Sequence, residues 1–211
     1  MGESASGAGI ATMERHSEDL LKLCDELDIG KVVFVGCSLG GYVLFDAWRR
    51  FRERFRALVL SDTKAEADDD IARETRFRTA DDVLLRGPDL FISSMLPKLL
   101  GESTQRNRPD VVAAARMTMS ASSAQGIAAV QRGMAARPDF TETLSQIDVS
   151  TLVVVGAEDV LTPPPTVQGL AKKIRKSEFQ MIPAAGHLAP FEQPEDFARV
   201  LRQFLDRLSY D

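Results

Sequence analysis

The eleven residues Lys31-Val-Val-Phe-Val-Gly-Cys-Ser-Leu-Gly-Gly41 constrain this chain more than any other stretch. Val32, Val33, Phe34 and Val35 make a continuous apolar run rich in β-branched side chains. Such a run predicts a strand buried on both faces of a parallel sheet. It leads into Gly36-Cys37-Ser38-Leu39-Gly40, a G-x-S-x-G match with Gly41 behind it, and then into an apolar, aromatic helical stretch from Tyr42 to Phe51. Strand, tight turn and helix are the context in which this motif holds a serine at a sharp elbow. The turn is expected to crowd the backbone on both sides of Ser38, at Gly36 and Gly40, so that only residues without Cβ fit there. It also sets Ser38 at the positive end of the following helix, where the backbone N–H of Leu39 can face a developing oxyanion.

The rest of the chain is consistent with one domain holding a sizeable core: 211 residues, 44% of them hydrophobic. No apolar run approaches a membrane span, so no membrane partner is expected. A net charge of −5 argues against nucleic acid as a main partner. The two cysteines, Cys24 and Cys37, make neither a C-x-x-C nor a zinc spacing, which reads as a reduced, cytoplasmic protein. Cys37 adjoins the serine, but the elbow aims Ser38, and a buried structural thiol is expected. The N-terminus lacks the features of a secretory peptide.

Along the chain, residues 1–10 read as loop. Thr12 to Leu27 reads as a helix with Leu20, Leu23, Cys24 and Leu27 as its apolar stripe, and with His16 hydrogen bonding at the surface. Arg49, Arg50, Arg52, Arg54 and Arg56 form a basic cluster at a helix end. Ala57 to Leu60 is a second strand, running into Ser61-Asp62-Thr63. Residues 65–82 are polar, and Asp68, Asp69 and Asp70 read as a solvated loop without a second set of metal ligands. Helices are expected at Ala80–Leu85, Asp89–Leu100, Asp110–Ser120 and Ser123–Ala136. Strands return at Thr151–Gly156 and Glu178–Ile182, separated by a helix from Thr166 to Ile174. An amphipathic helix from Pro194 to Leu208 closes the chain. Alternating strands and helices give an α/β fold: a parallel sheet with helices on both faces and a helical cap. Residues 1–64 and 149–211 form the sheet-bearing core, and 65–148 the cap inserted over the strand ends.

Ser38, Asp159 and His187 each stand at the carboxyl end of a predicted strand, where open parallel sheets gather their ligands. His187 is one of only two histidines, which nearly forces its choice as a base. A serine hydroxyl needs such a base to act as a nucleophile at neutral pH. A carboxylate behind the imidazole would fix its tautomer and stabilise its cation. Asp159, on a proline-bounded loop, is the first candidate for that carboxylate, and Asp62 is the second.

The segments Gly36–Gly41, Val154–Pro164 and Gly186–Glu195 together resemble the α/β-hydrolases of the esterase and enol-lactonase type, in the order Ser, Asp, His. Met134–Asp139 is similar to the corresponding stretch of 3-oxoadipate enol-lactonases. The resemblance implies the α/β-hydrolase fold. It also implies hydrolysis of a small-molecule carboxylic ester or lactone through an acyl-enzyme, with catalytic Ser38, Asp159 and His187 and with no metal or organic cofactor.

Members of that family carry several strands before the elbow, and a loop among them supplies a second oxyanion donor. Here thirty-one residues precede Val32, and Gly2-Glu3-Ser4 resembles the tail of a Gly-x-Gly-x-Ser stretch that normally follows those strands. The resemblance therefore implies an N-terminally truncated domain, with Leu39 N–H as oxyanion donor, the second donor missing and turnover impaired. It leaves Val32–Val35 at a sheet edge, open to homodimerisation, to aggregation or to reliance on a missing segment. Two other readings stay open: a cofactor-free haloperoxidase or perhydrolase, and a non-catalytic remnant or binding module.

Overall fold

In the computed structural model, residues 9–208 are described; the Gly2-Glu3-Ser4 resemblance lies outside them. Four strands form one sheet in the order β1 (Val32–Cys37), β2 (Phe55–Ser61), β3 (Ser150–Gly156), β4 (Ser177–Ile182), and every neighbouring pair is parallel. Residues of β2 alternate between two cores, as a strand's two-residue period requires. Leu58 and Leu60 join Phe45 and Trp48 of α2 (Leu39–Phe51) and Val167 and Leu170 of α9 (Pro164–Lys173). Ala57 and Val59 join Phe197, Val200 and Phe204 of α11 (Pro194–Leu205) on the other face. The sheet is thus covered on both faces, and its carboxyl edge collects the loops that follow β1, β3 and β4.

Between β2 and β3 run α3 (Asp70–Arg86), α4 (Asp89–Leu99), α5 (Glu102–Asn107), α6 (Pro109–Ser120), α7 (Ala124–Ala135) and α8 (Thr141–Leu144). Leu96 and Leu100 meet Ala115 in a small apolar cluster of their own. Phe140, Leu144 and Ile147, at the end of this run, are instead buried in the core beside α2.

Three local expectations are corrected. The strand β1 is not buried on both faces: Phe34 is, but Val35 is 50% exposed, because among the described residues β1 pairs only with β2 and lies at the sheet edge. Helix α1 (Met13–Glu26) is capped by Thr12 but buries Met13, Ser17, Leu21 and Cys24, while Leu23 and Leu27 face solvent. The polar Ser17 belongs to the inner face because its hydroxyl donates to Asp46 of α2 at 2.5 Å. His16, on the same helix, is part-exposed, and its buried Nε2 has no hydrogen-bond partner among the described residues.

The third correction concerns residues 65–82, which are largely helical. Asp69 caps α3 by accepting from Ala72 N, Asp70 opens its first turn, and Asp68 is drawn into the interior by arginines. With only Ala80 and Val83 buried, α3 has no apolar stripe to announce it. No helix among the described residues is long and apolar enough to cross a membrane.

Candidate active site

Ser38 lies between the end of β1 and the start of α2 with φ 51° and ψ −112°, a backbone conformation that L-residues rarely adopt. Its N–H donates to Ser61 O at 2.9 Å and its carbonyl accepts from Thr63 Oγ1 at 2.8 Å, so β2 braces the turn from both sides. A Cβ at Gly36 would come 2.6 Å from the Gly40 carbonyl carbon, and one at Gly41 would come 2.3 Å from Thr63 Oγ1. The crowding expected at Gly40 is absent: a Cβ there meets nothing within 4 Å among the described residues. The close approaches therefore fall at Gly36 and Gly41. Leu39 is the first residue of α2, and its N–H has no acceptor within the helix.

His187 follows β4 on a short loop and is 4% exposed; Asp159 follows β3 and is 3% exposed. The imidazole Nε2 stands 2.7 Å from Ser38 Oγ, and Nδ1 stands 2.9 Å from Asp159 Oδ2. An ionised carboxylate can only accept, which puts the ring proton on Nδ1 and leaves Nε2 to accept from the serine hydroxyl. The other lone pairs of Asp159 are also used: Oδ1 accepts from Leu161 N at 2.8 Å and Thr162 N at 3.0 Å, and Oδ2 from Thr162 Oγ1 at 2.5 Å. Burial alone would raise the Asp159 carboxyl, but the bonds and charge of His187, with those of Thr162, outweigh it and hold the group below its usual value. The structure thus brings together three residues that are 121 and 28 positions apart in sequence (159 minus 38, and 187 minus 159).

Asp62, the second candidate acid, makes no bond to the imidazole. Its Oδ1 accepts from Gly156 N at 2.7 Å and its Oδ2 from the Ser61 hydroxyl at 2.5 Å. Burial pushes its carboxyl up to about 7, against the lowering effect of those two bonds. Cys37 donates its thiol to the His187 carbonyl at 3.8 Å. Burial, with the nearby charges of Asp62 and Asp159, raises that thiol to about 12, so it stays protonated and non-nucleophilic at neutral pH.

Two glutamates, inside the resembling segments but given no role from the sequence, tie the helical insertion to these loops. Glu192 is fully buried and accepts from Gly101 N at 2.7 Å and from Gly186 N, next to His187, at 2.8 Å. Glu158, next to Asp159, accepts from Ser103 N at 2.8 Å and from the Ser103 hydroxyl. Their signal in the sequence is position alone, one residue before Asp159 and five after His187. A cavity of about 380 Å³ opens above Ser38 and His187, walled by Phe91, Met95, Leu99, Met119 and Ile127 and by the cations Lys64 and Arg76. Among the described residues there is no cluster of acidic, histidine or cysteine side chains fit to hold a metal ion.

Known proteins share this fold. The model of the alpha/beta hydrolase fold family matches residues 2–194. A thermophilic esterase from Thermogutta terrifontis, solved with malate bound, superposes with a TM-score of 0.97 at 42% identity, over 99% of this chain and 77% of that one. The enol-lactonase from Burkholderia xenovorans LB400 shares the fold with a TM-score of 0.89 at 24% identity, over 98% of this chain and 77% of its own. 3-Oxoadipate enol-lactonase 1 from Acinetobacter baylyi is 25% identical over 194 residues, 92% of this chain and 71% of the relative. The chain belongs to the alpha/beta hydrolase fold family and is a hydrolase similar to its esterases and enol-lactonases.

Proposed function

We propose that the chain is a serine hydrolase that cleaves a small-molecule carboxylic ester or lactone through an acyl-enzyme. The observation that carries this reading is the continuous relay Ser38 Oγ, His187 Nε2, His187 Nδ1, Asp159 Oδ2, with links of 2.7 and 2.9 Å. In the first half-reaction Ser38 Oγ adds to the carbonyl carbon while His187 Nε2 takes the hydroxyl proton. The carbonyl oxygen becomes an oxyanion, which Leu39 N–H at the start of α2 stabilises. The intermediate collapses, the C–O bond to the leaving group breaks, and His187 returns the proton to the departing alkoxide. Water then repeats the sequence on the acyl-enzyme and regenerates Ser38. In a lactone the leaving oxygen stays tethered to the acyl group, and a hydroxy acid results, or from an enol-lactone an enol acid that tautomerises to the keto acid. Asp159 remains ionised throughout and stabilises the imidazolium formed in each half-reaction.

Leu39 N–H is the oxyanion donor that the described residues bring to the elbow. The segment described before β1 packs instead on α2 through Ser17–Asp46 and on α7 through Ala11 N–Ala129 O.

The test is turnover of 4-nitrophenyl esters together with labelling by a fluorophosphonate. The chain should do both, and Ser38→Ala should lose both. Ester turnover that survives Ser38→Ala would overturn the assignment.

A further inference from the structure

We propose that Lys64 and Arg76 form a subsite for a carboxylate carried by the substrate, so that the preferred ester or lactone is itself an anion. The inference rests on the serine-hydrolase reading and concerns the same cavity. Apart from His187 and the phenol of Tyr42, these two are the ionisable side chains lining a space otherwise walled mainly by Phe91, Met95, Leu99 and similar apolar groups. Their charge is not balanced locally. Asp68 is the one carboxylate they share, and its side chain is 2% exposed. Arg137, whose side chain is fully buried, already engages both oxygens of Asp68, at 2.8 Å from Nη1 and 2.9 Å from Nη2.

Arg76 adds a further bond to Asp68 through Nε, while its Nη1 meets only neutral acceptors, Gln131 Oε1 at 3.2 Å and Met134 Sδ at 3.4 Å. Lys64 Nζ stands 3.9 Å from Asp68, at the outer limit of an ion pair. Three cations thus converge on one buried carboxylate. Glu66, two residues from Lys64, is exposed and offers Arg137 its backbone carbonyl.

Arg137 by itself satisfies Asp68, which leaves the other two cations without a structural need for full compensation. Both are only part-exposed, 29% for Lys64 and 23% for Arg76, and a charge held at an apolar wall is screened less than one in bulk water. An uncharged alkyl end on the acyl group gives these groups nothing to bind. A carboxylate set between an ammonium and a guanidinium edge gains charge-assisted hydrogen bonds of the stronger kind. The same cavity that presents the carbonyl to Ser38 would therefore select an acyl compound with a charged end, its apolar stem lying along the methionine and phenylalanine wall.

The discriminating substrates are mono-4-nitrophenyl adipate and 4-nitrophenyl hexanoate, acyl chains of equal length that differ in a terminal carboxylate. The chain should prefer the adipate ester in kcat/KM by about ten-fold or more, the value of one or two charge-assisted bonds. Lys64→Gln and the double variant Lys64→Gln/Arg76→Gln should collapse that ratio toward one, mainly through KM. A ratio near one in the parent chain, or a ratio unchanged in the variants, overturns the subsite. Lys64→Gln serves if loss of Arg76 unfolds the protein, because Lys64 makes only the 3.9 Å contact.

Calorimetric binding of adipate to the Ser38→Ala chain keeps this proposal separate from the catalytic reading. Binding that weakens when Lys64→Gln is added supports the subsite even if no ester turns over. Turnover without preference, and without adipate binding, sinks the subsite and leaves the serine mechanism standing.

Discussion

At the scale of single residues, the carboxylates around Ser38 divide by what they touch. Asp159 has four hydrogen-bond donors, one of them the imidazole, and stays ionised. Asp62 lies at φ 49° in the carboxyl-end turn of β2, completely buried, with a backbone N–H and a hydroxyl as its partners. Its folded value of about 7 stands above the ordinary 3.8. For such a group the folded state holds the proton more tightly. Its contribution to stability is complete below the ordinary value and is lost as pH rises through the folded one. Asp62→Asn keeps the shape of the protonated acid and removes this loss. The variant is therefore expected to gain stability over the parent as pH rises, with a gap growing between roughly pH 4 and pH 8 to on the order of 2–4 kcal/mol. Urea unfolding at pH 5 and pH 8.5 measures it. A gap of equal size at both pH values would mean that Asp62 does not titrate between them.

At the scale of elements, the catalytic loops hold their shape because backbones cross with no room for a side chain. A Cβ on Gly186 would lie 2.3 Å from Gly101 N, so the His187 loop and the turn before α5 touch main chain to main chain. Glu192 stitches that crossing by accepting one N–H from each side. In Glu192→Gln one acceptor becomes a donor aimed at a buried N–H. That leaves an unsatisfied pair, at about 1–3 kcal/mol, and loosens the residue next to His187. Both urea stability and kcat are expected to fall. Glu158→Gln should cost less stability, because Glu158 is only half-buried and one of its partners is a hydroxyl that can turn to donate or accept. Equal losses in the two variants would count against the clamp.

The contrast also marks what a sequence reader could see. Strands β1 to β3 and the elbow are written in β-branched runs and flanking glycines, signals that act within ten residues. The inner face of α1 and the existence of α3 are not legible in this way. One depends on Ser17 meeting Asp46, twenty-nine positions away, and the other, which buries only Ala80 and Val83, is held to α7 by partners such as Arg132 for Asp81, fifty-one positions away. The same holds for Lys64, whose place directly after Ser61-Asp62-Thr63 was visible but whose excess charge depends on α3 and on the turn after α7.

At the scale of the molecule, the two edges of the sheet differ. The β4 edge is blunted by charge: Glu178 pairs with Arg207 at 2.6 Å, and Gln180 and Lys176 flank it. The β1 edge is Val-Val-Phe-Val, its outer backbone groups unpaired by any other described strand, and Val35 is 50% exposed. Unpaired N–H and C=O groups beside apolar side chains form a template for another strand, and charge is the usual protection against it. A second copy of the chain offers the same edge, and two β1 strands meeting about a two-fold axis would satisfy both rows at once. The 211-residue chain is therefore expected to sediment as a dimer whose fraction rises with concentration. Val35→Lys should shift it to monomer, because the ammonium would be carried into the pairing face. Ser38 lies just beyond the end of this strand, so pairing should also steady the elbow and raise kcat with protein concentration. A species that stays monomeric at every concentration, with concentration-independent kcat, would show that the β1 edge is tolerated in water.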